Sequence, residues 1–177
     1  MRLILLFIFV LSCYASLAQR IFISENEGDR LLTWADFREI PSNDPYDAYT
    51  YWNVSYDVAT VNFKGDTAVF DMNVKVKFDN KLSWAKKGKQ TDYLLQHEQV
   101  HFDIAKLFAC ELAIKYKNTV FFKSNYNALT NTIFRELFNK YEAMQKQYDD
   151  ETNHSINKEA QQKWEKLVVA EAAKYKL

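Results

Sequence analysis

Two histidines and the glutamate beside the first of them, in Leu94-Leu95-Gln96-His97-Glu98-Gln99-Val100-His101, have the types and spacing to do chemistry together. On an α-helix, side chains four positions apart lie one above the other, so both imidazoles can reach one metal ion. Glu98, next to the first imidazole, is then placed to act as general base toward a water that the metal activates. This is the His-Glu-x-x-His arrangement of zinc-dependent hydrolases, and it makes Zn²⁺ the expected cofactor.

Catalytic zinc takes three protein ligands as a rule, so His97 and His101 need a partner. The extended metzincin pattern fails here, because positions 104 and 107 are Ile and Leu. A thermolysin-like glutamate from the following helix fails too, since residues 112–135 contain no Glu or Asp. Asp103 points about 200° away from His101 around the helix and is better read as a hydrogen-bonding or solvated carboxylate. What is left is Tyr148-Asp149-Asp150-Glu151-Thr152-Asn153-His154. Its histidine is the only one in the chain outside the motif. Imidazole suits zinc well, which ranks His154 first as third ligand, with Asp149 and Glu151 as alternatives. Tyr148 is a candidate donor to an oxyanion, although a phenol on that stripe reads first as a core residue.

Elements must exist to position these groups. Thr91 or Asp92 can cap a helix running to about Lys117. On it Leu94, His97, His101, Ile104, Ala105, Phe108 and Leu112 share one side, while Gln96, Gln99, Asp103 and Lys106 share the other. The histidines therefore lie on the core-facing stripe, where two imidazoles without partners would be costly to bury. Further helices are expected at about 128–149 and 157–175, with stripes that include Ile133, Leu137, Tyr141 and Tyr148 in the first and Trp164 and Val168 in the second. Upstream, Phe70, Met72, Val74, Val76 and Phe78 alternate with Asp71, Asn73, Lys75 and Lys77, the period of a strand with one wet face. Residues 49–63, rich in aromatic and β-branched side chains, read as its antiparallel neighbour across the hairpin residues Lys64-Gly65-Asp66-Thr67. Residues 19–30 read as a polar lead-in, with room for a third strand near its start. The expectation is an α+β domain: a small antiparallel sheet from the N-terminal half, packed on the zincin-like motif helix and two C-terminal helices.

The 177 residues carry 23 basic and 23 acidic side chains, a balance that gives no footprint for nucleic acid. Two prolines and three glycines leave little material for linkers, so one domain is expected over 19–177. Residues 1–18 differ. Arg2, the apolar run Leu3 to Leu11 and Ser16-Leu17-Ala18 read as a secretory signal peptide, too short for a membrane span. A periplasmic or secreted protein follows. The less favoured alternative is an outer-membrane lipoprotein acylated at Cys13. Removal of the leader leaves Cys110 as the single cysteine, which rules out an internal disulfide.

The chain also resembles a family of bacterial secreted zinc-dependent proteases catalogued as domain of unknown function nine-two-two. The resemblance rests on Leu32-Thr33-Trp34-Ala35-Asp36-Phe37, Ala48-Tyr49-Thr50, Ser83-Trp84, His97 to Asp103, Tyr148 to His154, and Gln161-Gln162-Lys163-Trp164. Many members carry Gly after the final histidine, where this chain has Ser155. The resemblance implies a zinc-peptidase-like fold and a peptidase activity; it supplies no particular substrate, and a peptide or protein substrate is expected from the activity alone. The expected activity is hydrolysis of peptide bonds, with Glu98 as base and His97, His101 and His154 holding Zn²⁺. Two alternatives use the same residues: a zinc-stabilised envelope binding module without catalysis, and an amidase acting on a non-peptide or cell-wall amide.

Overall fold

A computed structural model describes residues 19–25, 31–41 and 43–175. The leader and Cys13 lie outside the described residues. The architecture is α+β, as expected. Strands β1 (Arg20–Glu25), β3 (Trp52–Lys64) and β4 (Thr67–Phe78) form the main sheet in the order β1-β4-β3. Strand β2 (Ala48–Tyr49) pairs instead with β5 (Trp84–Ala85), and β6 (Phe121–Phe122) pairs with the start of β4. Three helices follow the hairpin: α1 (Asp92–Asn118), α2 (Tyr126–Thr152) and α3 (Lys158–Ala172).

The hairpin forms where the sequence places it. Gly65 takes φ +58 at the first central position of a two-residue turn, a conformation open to a residue without Cβ. Strand β4 keeps its period of two: Phe70, Met72, Val74, Val76 and Phe78 are all buried. The opposite face carries cross-strand charge pairs, Arg20 with Asp71 and Lys75 with Asp57. Two expectations need correcting. The third strand forms at the start of the lead-in, where Ile21 and Ile23 pack against the core, but β1 pairs with β4 in parallel register. The sheet is therefore mixed rather than antiparallel. The run 49–63 is not one strand either, because the chain leaves β2 at Thr50 and Tyr51 before entering β3.

Helix α1 begins at Thr91, whose hydroxyl accepts the Leu94 N–H at 3.1 Å. It is buried on more than its expected stripe. Off the stripe, Phe102 packs on Phe78 of the sheet and Gln99 accepts the Leu32 N–H at 2.8 Å; on it, Phe108 packs against Trp52 and Tyr141. Each large apolar side chain so buried contributes roughly 1.5–3 kcal/mol, and α1 is the element they share. Its position is thereby fixed by the sheet on one side and by α2 and α3 on the other. Among the described residues no helix is long and apolar enough to cross a membrane.

Candidate metal centre

Leu94, His97 and His101 fall on the α1 stripe that faces α2, so packing of that stripe buries both imidazoles, at 3% and 9% exposure. Helix α2 answers with Tyr141, Gln145, Tyr148 and Asp149, which share a face at spacings of three and four. Asp149 Oδ1 lies 3.1 Å from His97 Nε2 and 3.1 Å from His101 Nε2, and the two nitrogens are 3.2 Å apart. Three ligands of a tetrahedral metal at about 2.0–2.1 Å are separated from one another by about 3.3–3.4 Å, so the triangle has the right size for one ion. His97, His101 and Asp149 are the group of described residues able to share a metal.

The surroundings fit that use. His101 Nδ1–H donates to Gln145 Oε1 at 2.6 Å, and Gln145 Nε2 donates back to the His101 carbonyl at 2.8 Å. This clamp puts the proton on Nδ1 and turns the Nε2 lone pair toward His97 and Asp149. Two buried nitrogens facing each other in this way are stabilised by a cation between them. The Tyr148 ring stacks under His97 at 4.6 Å and is backed by Trp164 at 5.4 Å. The Tyr148 hydroxyl donates to the His97 carbonyl at 3.4 Å, which makes this residue a wall of the site.

Glu98, the expected base, is 3% exposed and its Oε2 has no partner among the described residues. Burial raises its carboxyl pKa, against the opposing pull of His101 and Thr50. The Thr50 hydroxyl also donates to the Glu98 carbonyl at 3.3 Å, tying the chain between β2 and β3 to the motif. Asp149 behaves in the opposite way: burial disfavours its charge, but the bonds with His101 and His97 outweigh that and lower its pKa.

The three candidates for third ligand take different positions. Asp149 joins the histidines. Glu151, two residues on, points about 200° away around α2 and accepts the Trp164 indole N–H at 2.7 Å. His154 lies past the helix end, with Nδ1 3.4 Å from Asp149 Oδ1 and its ring 4.2 Å from that of Tyr46. It reaches there through an uncommon backbone: Asn153, His154 and Ser155 have φ of +47, +49 and +72. Left-handed conformation costs roughly 1–2 kcal/mol per residue with a Cβ. The turn is held by the His154 N–H on the Asp149 carbonyl (3.0 Å) and the Asn157 N–H on the Thr152 carbonyl (2.7 Å). The φ of Ser155 explains why glycine suits this position.

A cleft of about 650 Å³ opens over His97, His101 and Asp149. One wall is the segment 45–54, the other is α2 with the 153–156 turn, and His97, Glu98 and His101 are at its floor. Sequence reasoning did not find Gln145 or Thr50. Gln145 carries a readable signal, since it lies one helical turn before Asp149 and must share its face. Thr50 carries none, because its role depends on where a two-residue strand ends.

A mixed α+β domain with two helix-borne imidazoles and a carboxylate able to share one metal ion is the class that fold and site define. The chain belongs to the family described as "Bacterial protein of unknown function (DUF922)", whose profile matches residues 23–155, from β1 to the turn that carries His154. No curated protein and no solved structure matches the chain.

Proposed function

We propose that the protein is an exported zinc metallopeptidase, with His97, His101 and Asp149 as its metal ligands and Glu98 as general base. The observation that carries this reading is the convergence of His97 Nε2, His101 Nε2 and Asp149 Oδ1 beside a buried glutamate at the floor of a cleft. Two imidazole nitrogens and a carboxylate oxygen are a donor set suited to catalytic zinc. Zinc bound there supplies Lewis acidity, polarising an amide carbonyl and lowering the pKa of a water ligand toward neutrality. The chain's own residues do the rest. Glu98, its carboxyl pKa raised by burial, would take the proton of the water whose oxygen bonds to the amide carbon, and pass it to the leaving amine as the C–N bond breaks. Gln145 holds His101 in the tautomer that presents Nε2. Tyr148 and Trp164 keep water from the back of the imidazoles. His154 stands at the rim of the centre, against Asp149. Export rests on the leader-like character of residues 1–18.

The Glu98→Gln protein tests the mechanism. It is expected to bind one zinc per chain, as the parent does, and to lose peptide cleavage by about 10²–10⁴-fold. Cleavage at the parental rate by the zinc-loaded variant would remove Glu98 from the chemistry.

A further inference from the structure

The cleft has a charge imbalance that the metal chemistry does not use. The chain has 23 lysines and arginines among 177 residues, yet none of the 22 residues lining the cleft is one of them. Four carboxylates line it: Asp47, Glu98, Glu142 and Asp149. Glu98 and Asp149 belong to the metal centre. Asp47 is paired with Lys89 at 3.3 Å. Glu142 has no hydrogen bond or ion pair among the described residues, and it is exposed to the cleft from α2.

The neighbours of Glu142 give that spare charge a context. It lies one turn after Phe138 and two turns before Asp149, on the α2 face that lines the cleft. Phe138 meets Trp52 of the opposite wall with ring centroids 6.3 Å apart. A carboxylate beside an aromatic pair is the chemistry that receives a long cationic side chain, its methylenes on the rings and its charge at the carboxylate. Seven residues of helix put Glu142 about 10 Å from Asp149 along the axis, the span of about three residues of an extended peptide.

We infer that the cleft selects polypeptides carrying lysine or arginine about three residues from the bond to be cut, with Trp52, Phe138 and Glu142 forming the subsite. This rests on the peptidase reading for the cutting, though not for the binding. The test uses the purified, zinc-loaded protein and neutral peptides in which a single lysine is moved along the sequence. Cleavage is mapped by mass spectrometry, and the preference is the kcat/KM ratio of lysine-bearing to all-neutral peptide. The parent is expected to favour lysine at a fixed distance from the cut. Glu142→Gln is expected to lower that ratio roughly three- to tenfold, the size of a partly screened ion pair. Glu142→Lys is expected to turn it toward acidic peptides. Cleavage with no lysine preference, or a preference that Glu142→Gln leaves unchanged, overturns the subsite and spares the peptidase. If the parent cuts nothing, the same ratio is read from peptide affinity by calorimetry. Glu142-dependent lysine preference in binding then supports the subsite while removing the peptidase, and no preference in binding overturns the subsite.

Discussion

The two walls of the cleft are built differently. On the α1–α2 side, His101 is held by Gln145 at two points, the His97 ring stacks on Tyr148, and Tyr148 is backed by Trp164. The far side is segment 45–52, where Tyr46 and Tyr49 stay 41% and 47% exposed and β2 is two residues long. It meets the helical side at the mouth through Tyr46 and His154, the latter on a left-handed turn. Metal ligands must be held to a fraction of an ångström, and the three groups able to share an ion here come from long packed helices. Recognition of a substrate tolerates and uses adjustment, and under the proposed function it would fall to short strands and turns.

Substitutions can break or sharpen that contrast. The largest effect is expected in the packed region itself. Phe108 is fully buried and stacks on Tyr141 at 5.4 Å, so Phe108→Ala should cost about 3–5 kcal/mol of unfolding free energy in a denaturant titration. Tyr46→Ala, on the open wall, should cost less than about 1 kcal/mol in the same titration. Equal costs would show that the two walls are one packing unit.

Gln145→Leu comes next. It removes both bonds that orient His101, and should weaken zinc binding by about 10–100-fold in a chelator competition. Unchanged affinity would mean that burial alone orients the ring. The smallest effect is expected at the turn. Ser155→Gly relieves a side chain at φ +72 and should stabilise the fold by up to about 1 kcal/mol. A destabilised variant would show that the Ser155 side chain makes a contact worth more than the strain.

The sequence disclosed the motif helix almost to its ends, because capping, period and apolar stripe agree over residues 91–118. It also disclosed the β3–β4 hairpin. It did not disclose the direction of β1, since alternation along a strand is the same in parallel and antiparallel pairing. Nor did it separate Asp149 from His154. The helix α2 was expected to end near residue 149, which left 149–154 as a single cluster of possible ligands with no helical face to rank them. The helix continues to Thr152, so Asp149 belongs to its body and inherits the face of Gln145 and Tyr148. Glu151 inherits the opposite face and His154 falls beyond the end. A three-residue difference in a helix boundary thus places Asp149, and not Glu151, on the face of the two histidines.

The account's central claim is that α2 supplies the third ligand. Zinc content and affinity, measured on purified Asp149→Ala and His154→Ala proteins beside the parent, test it directly. The parent should hold one zinc per chain. Asp149→Ala should lose at least about 10²-fold in affinity, and His154→Ala should keep stoichiometric zinc with a few-fold change. Stoichiometric, tight zinc in Asp149→Ala, together with its loss in His154→Ala, would contradict the account and move the third ligand into the turn.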